Sequence, residues 1–336
     1  MKISHAYIEI TNSCNLNCRS CYNRSGMKHL RQELYYIDFS KISNRLIGEL
    51  DCKRISLSGG EPTLNRDFAE ILDKSLSLNT SIAVVTNGTT DCEKLINTYN
   101  SNNIAIQISL DGSCEEINSF TRGEGNFTKT VGFIEKLDKK IPPVIKMVVS
   151  KFNIDNVADF FEFAIDHDCL PEFDFVAPIG NAADSWEAIG LNAREKLNIL
   201  RTIDALNFKH NVSAKLPYCT SACPLSDPEA ELSVLIKPNG DIYPCQMLYG
   251  EKFKLGNILT DTKEMITERM AEITAIAAKR EQTDFGCTRC LARQFCKRGC
   301  MAFADMRSGD PLANDGDCEY RKFQLVGFSA IKQEVI

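Results

Sequence analysis

The chain has 336 residues, 43% hydrophobic and 25% charged, which is material for one large domain with an appendage. Its net charge of −6 argues against a broad phosphate-binding face, so nucleic acid is not an expected partner. No run is apolar and long enough for a signal peptide or a membrane span, and the expected location is cytoplasmic.

From residue 4 to about 178 the pattern alternates between strand and helix. Strand-like runs are AYIEI (6–10), RISLS (54–58), SIAVVT (81–86), IAIQISL (104–110), VIKMVV (144–149) and FDFVA (173–177). Helical periodicity fills the gaps at 39–50, 68–78, 93–100, 127–140 and 156–167. Six βα units in series predict an α/β fold, a parallel sheet with right-handed crossovers. Six units rather than eight make an open, partial (β/α)6 barrel, with its chemistry at the C-terminal ends of the strands. A helix over 193–207 leads out. Turn signals such as PNGD (238–241), one helix near 261–279 and many cysteines then follow, and a last amphipathic helix spans 319–332. The expected divisions are a barrel over 1–182, a linking helix over 183–217, a metal-supported domain over 218–320 and a closing helix over 321–336.

Fifteen cysteines in a cytosolic chain read as metal ligands or reactive groups rather than disulfides. They fall into two dense groups. Cys14, Cys18 and Cys21 lie together, and Cys219, Cys223, Cys245, Cys287, Cys290, Cys296, Cys300 and Cys318 form the second group. Cys52, Cys92, Cys114 and Cys169 are scattered.

The stretch CNLNCRSCY (14–22) follows the first predicted strand and has C-x3-C-x2-C spacing. Three thiolates can hold three irons of a cubane and leave the fourth open to a substrate or cofactor. The alternative is zinc with a fourth ligand elsewhere, such as His5 or His29. Other stretches also sit at strand ends: LSGGEP (57–62), VVTNG (84–88), SLDG (109–112) with Arg122 in TRGEGNF, and PIGNA (178–182). Together and in this order they resemble the radical S-adenosylmethionine (SAM) enzymes.

That resemblance implies that the open iron chelates the amine and carboxylate of SAM. An electron then splits the sulfur–C5′ bond, and the 5′-deoxyadenosyl radical takes a hydrogen atom from the substrate. It implies cofactor contacts from Gly59, Gly60, Glu61 and Pro62, from Thr86 and Asn87, from Ser109, Asp111 and Arg122, and from Gly180 and Asn181. A guanidinium suits the SAM carboxylate. One departure is Ser20, where the family usually has an aromatic residue; Tyr22 stands after the third cysteine.

CTRCLARQFCKRGC (287–300), GDIYPC (240–245) and Cys318 resemble the SPASM extension of radical SAM enzymes that modify peptides and proteins. The resemblance implies two auxiliary 4Fe–4S clusters. One would use Cys219, Cys223, Cys245 and Cys300, and the other Cys287, Cys290, Cys296 and Cys318. With the SAM-binding cluster this makes three, using eleven cysteines. Structural zinc is the alternative for the C-x2-C pairs. The two closed clusters favour electron transfer, and a flavodoxin- or ferredoxin-type reductant is the expected partner.

The implied activity is radical modification of a ribosomally made peptide by crosslinking, epimerisation or oxidation. A separate recognition protein could present the substrate, because the first strand starts too early to leave room for a leader-binding domain. The alternative is a small molecule such as a tetrapyrrole side chain, an aminoglycoside or a sugar. Gln246 stands where sulfatase-maturing relatives carry an acidic base, which weakens that activity. Cys114, just past SLDG, is a candidate hydrogen donor, with a small packing residue as the plainer reading. Cys52 and Cys169 precede strands and belong at the far end.

Overall fold

The computed structural model of the chain describes residues 2–333 apart from 27–30, 103, 216–222, 228 and 294. The strands are β1 (Lys2–Thr11), β2 (Arg54–Gly59), β3 (Ser81–Thr86), β4 (Ala105–Ser109), β5 (Val144–Val149), β6 (Leu170–Phe175), β7 (Glu231–Ile236), β8 (Asp241–Tyr243) and β9 (Gly256–Asn257). The helices are α1 (Tyr36–Gly48), α2 (Phe68–Leu76), α3 (Glu93–Ser101), α4 (Glu115–Arg122), α5 (Asn126–Glu135), α6 (Val157–Asp166), α7 (Asn181–Asp184), α8 (Trp186–Ile189), α9 (Ala193–His210), α10 (Lys263–Gln282), α11 (Met301–Ser308) and α12 (Cys318–Gln333).

One sheet runs in the order β6-β5-β4-β3-β2-β1-β7-β8-β9. The six strands of the expected partial barrel pair in parallel and in sequence. The helices between them cover the apolar face. Ile8, Ile55, Leu57, Ile106, Ile108, Ile145, Met147 and Phe173 are buried there. Helix α1 adds Phe39, Ile42 and Leu46, and α6 adds Phe160, Phe161 and Ala164. Successive side chains on a strand point to opposite faces. The other face is therefore polar: Tyr7, Glu9, Ser56, Ser58, Gln107, Ser109, Lys146, Glu172 and Asp174 line the concave interior.

The sheet does not stop at β1. Strand β7 pairs with it in parallel from Lys2–Glu231 to Ile8–Ile236, and β8 and β9 continue antiparallel. The cysteine-rich region is thus tied to the barrel through the sheet itself.

Strand β6 lies at 170–175, three residues earlier than its expected start, and includes Pro171. Proline lacks the N–H of a ladder, and β6 tolerates it as an end strand. Leu170 N–H bonds inward to Pro143 O, so the next nitrogen, that of Pro171, faces the outer side. There, among the described residues, only a single parallel bridge, Glu172 with Lys215, is formed. Helix α4 was not expected. It has only eight residues and places Arg122 at its last position.

Candidate functional site

The cysteine loop lies flat on the end of β2 because two glycines allow it. Gly60 N–H donates to Thr11 O (2.8 Å) and Glu61 N–H to Ser13 O (2.7 Å). A Cβ on Gly59 or Gly60 would stand 2.1 Å from those same carbonyl oxygens. The glycines therefore seat the loop, a role beyond the ligand contact expected of them. The far side of the loop is hooked by the segment after β6. Gly180 has φ +60°, and a Cβ there would meet Cys21 O at 2.2 Å. Asn181 N–H donates to Cys21 O (2.9 Å), and its side-chain amide to Cys18 O (2.8 Å).

Donors converge on the loop's sulfurs. Asn87 Nδ2 is 3.8 Å from Cys14 Sγ, and Arg122 Nη1 is 3.9 Å from Cys18 Sγ. Arg122 is aimed by Asp111, whose buried carboxylate lies 2.9 Å from Arg122 Nε. Asp111 also accepts from Thr121 Oγ1 and Val148 N–H, each at 3.0 Å. Burial pushes the Cys18 thiol up to about 12, against the opposing pull of Arg122. Such a thiol must shed its proton to bind metal, and the guanidinium and amide are placed to favour the sulfur that results. The three cysteines are free thiols. Among the described residues no three His, Cys, Asp or Glu side chains crowd together as one shared ion requires. A cubane makes a different demand, since each thiolate takes its own iron corner. The donor set and its polar surroundings fit an iron–sulfur centre.

His5 cannot serve the loop. It lies near the start of β1, six residues or roughly 20 Å of strand from Thr11, and bonds Ser56 Oγ at 2.9 Å. His29 lies outside the described residues.

The remaining strand ends gather round the loop. Glu61 is fully buried, and its carboxylate accepts from Thr63 N–H, Thr63 Oγ1, Thr86 Oγ1 and Asn87 N–H. These bonds occupy the carboxylate, so Glu61 and Thr86 clamp the ends of β2 and β3 together. Asn87 in turn donates to Asn15 Oδ1 (2.9 Å) on the cysteine loop. Pro62 opens a short 3-10 turn, and Ser109 ends β4 opposite Lys146. Cys114 directly precedes α4 with its residue exposed and forms no helix-capping bond.

The described C-terminal cysteines fall into two places. Cys287, Cys290, Cys296 and Cys318 line one cavity of about 160 Å³ with Arg321 and Asn314. Asn314 Nδ2 is 3.1 Å and Arg321 Nη2 3.8 Å from Cys318 Sγ. Cys300, though next in sequence, turns away from that cavity to Cys223, and Cys245 lies within electrostatic reach of both. Burial pushes Cys223 and Cys245 up to about 11 and Cys300 up to about 12. Cys219 lies outside the described residues. A buried ion pair joins the two groups: Arg321 grips Asp315 through two 2.6 Å bonds, and Asp315 accepts from Cys300 N–H at 2.9 Å.

Comparison with known proteins agrees in both halves. The model of the Radical SAM superfamily matches residues 8–164, and that of the SPASM iron–sulfur cluster-binding domain matches 229–291. The chain is a radical SAM enzyme with a C-terminal SPASM domain. It is 27% identical to the mycofactocin maturase MftC of Mycolicibacterium smegmatis, over 92% of this chain and 81% of the relative. It is 26% identical to the sporulation killing factor maturation protein SkfB of Bacillus subtilis, over 76% of this chain and 62% of SkfB. The structure of native anSMEcpe with bound AdoMet and Cp18Cys peptide superposes with a TM-score of 0.77 at 20% identity, covering 99% of each chain, which is a likeness of fold. SAM and 4Fe–4S clusters are the cofactors of this class of enzyme.

Sequence reading missed one part of this radical SAM enzyme's centre. Glu9, buried on the polar face of β1, bonds Lys237 Nζ (2.9 and 3.0 Å) and Asn23 Nδ2 (3.2 Å). Lys237 follows β7 and also donates to Asn23 Oδ1 (3.1 Å), two residues beyond Cys21. Tyr249 Oη donates to Tyr22 O at 3.0 Å. The SPASM region thus grips the cysteine loop from below. An acidic residue inside the strand-like run AYIEI was the available signal. The side chain of Tyr22 bonds Ser58 on β2, so this aromatic ring is tied to the barrel interior. Cys52 and Cys169 are buried at the starts of β2 and β6, away from the strand ends.

Proposed function

We propose that this enzyme carries out radical modification of a ribosomally made peptide. The supporting observation is its likeness to a maturase, MftC, through both the barrel and the SPASM region, over 92% of this chain. We assign Cys14, Cys18 and Cys21 to the SAM-binding cluster. We assign Cys219, Cys223, Cys245 and Cys300 to one auxiliary cluster, and Cys287, Cys290, Cys296 and Cys318 to another. The cavity shared by the last four supports that crossed division.

When bound, SAM and its iron–sulfur centre supply radical abstraction of a hydrogen atom. The chain's own residues bind and orient. Arg122, fixed by Asp111, presents a guanidinium for a carboxylate beside Cys18. Asn87 reaches across to Cys14, and the clamp at Glu61 keeps Asn87 in place. Gly180 and Asn181 hold the loop's other flank. The polar interior, with Lys146 between Glu172 (3.0 Å) and Asp174 (2.5 Å), offers hydrogen bonds and charge to a substrate backbone or side chain. A one-electron carrier of the flavodoxin or ferredoxin type is the proposed reductant.

The test is anaerobic reconstitution followed by incubation with SAM, a reductant and candidate peptides. About twelve irons per chain are expected from three cubanes; four irons with zinc would remove the auxiliary clusters. Formation of 5′-deoxyadenosine with a peptide product two mass units lighter marks oxidation or crosslinking. Deuterium uptake from solvent marks epimerisation. Turnover of small sugars or tetrapyrroles with none of any peptide would overturn the proposal.

A further inference from the structure

The segment between the cysteines of the outer cavity combines exposed apolar side chains with one sign of charge. Residues 286–298 hold Arg289, Arg293, Lys297 and Arg298 and no acidic residue, in a chain whose net charge is −6. Arg298 turns inward, donating to Thr283 O and Cys296 O. Arg289, Arg293 and Lys297 are exposed, and Lys297 Nζ lies 3.9 Å from a Glu281 carboxylate oxygen at the end of α10. Between them Leu291 is 80% exposed and Phe295 53%. A basic rim round a small apolar centre is the composition of a transient protein contact, in which charge steers the encounter and the apolar centre holds it.

What lies beneath decides which partner fits. Arg293 lines the same cavity as Cys287, Cys290, Cys296 and Cys318. Four thiolates can close a cubane completely, leaving no iron position for a substrate to bind. A partner seated there can exchange only electrons with it. We propose that Leu291 and Phe295, ringed by Arg289, Arg293 and Lys297, form the docking face for an acidic one-electron carrier protein. In each encounter the carrier loses one electron and the iron–sulfur centre beneath the face gains it, with no bond made or broken. This rests on the auxiliary cluster proposed above.

The test uses the reconstituted holoenzyme and a purified acidic flavodoxin in its hydroquinone form, with bleaching of the iron–sulfur absorbance followed by stopped flow. Combined Arg289→Glu, Arg293→Glu and Lys297→Glu substitution should slow bleaching at least about tenfold at low salt and reverse its dependence on salt, so that added salt speeds it. Leu291→Ala with Phe295→Ala should slow it at low and high salt alike. Reduction by dithionite, which needs no docking, should stay at the wild-type rate in every variant. If charge reversal costs iron, the milder Arg289→Gln, Arg293→Gln and Lys297→Gln set replaces it, with slowing of several-fold expected. Unchanged flavodoxin rates in fully loaded variants overturn the proposal, as does loss of substrate-peptide binding from these substitutions without loss of reduction. A wild-type enzyme with only four irons instead refutes the auxiliary cluster itself.

Discussion

Asp111 does its work through Arg122. Its carboxylate is inaccessible to solvent, accepts from Thr121 and Val148, and fixes the guanidinium beside Cys18. Asp111→Asn keeps the shape but leaves a buried cation without its counter-charge, at a cost of about 3–5 kcal/mol. Thermal unfolding should register that loss, and 5′-deoxyadenosine formation should fall at least about tenfold because Arg122 is no longer aimed. His5 gives a pH dependence of known sign. Burial, with Arg54 and Lys215 adding, lowers it from 6.5 to about 4. The folded chain therefore refuses a proton that the unfolded chain accepts. Its contribution to stability is whole above pH 6.5, shrinks as the pH falls, and is gone near pH 4. Melting temperatures followed from pH 7 to 4.5 should drop less steeply in His5→Gln than in the wild type. Partial exposure of the ring keeps the difference modest.

The segment after β6 shows how an element's end can decide metal loading. Gly180 adopts φ +60° with Cys21 O and Tyr22 O directly against it. Gly180→Ala adds conformational strain of about 1–3 kcal/mol and a methyl group where a carbonyl already sits. Iron content should fall by about four per chain, and the spectra of the auxiliary clusters proposed above should persist. Loss of all iron would show instead that the whole fold depends on this turn. The same segment marks what a sequence can and cannot reveal. Strands β3 and β5 were legible to the residue because their apolar runs end in clear turn signals. Strand β6 was read three residues late because Pro171 looks like a breaker until its nitrogen is seen to face the sheet's outer side. Helix α4 escaped notice because eight residues hold too few turns to display a period, yet it delivers Arg122. The cysteine spacings and glycine motifs were plain. The packing that explains them was not, since Gly60 meets Ser13 and Gly180 meets Cys21 only once the strands are aligned. Strands β7 to β9 lie in what read as an irregular, metal-stapled stretch, although Leu232, Val234, Leu235 and Ile236 are buried.

At the scale of the molecule, the barrel and the cysteine-rich region share one sheet and one polar network. Lys237→Met would leave the Glu9 carboxylate buried without its cation, costing about 3–5 kcal/mol. The expected signature is local: the EPR signal of the SAM-binding cluster and its response to SAM should change, while the signals of the two auxiliary clusters proposed above stay as they are. An unaltered N-terminal signal would show that Lys237 has no hold on the loop. The seam between β1 and β7 also bears on how the protein is made. Strand β1 leaves the ribosome long before β7, and one of its edges must wait for a partner more than two hundred residues later. Until then an apolar strand stands with an unpaired row of amides, a template for pairing with other chains. Its closure is a contact of long sequence separation, slow to form and late to be rewarded. A barrel synthesised without β7 keeps that edge permanently. Chaperone dependence, inclusion bodies and low yields from truncated versions are the expected consequence, whatever the state of their cysteines.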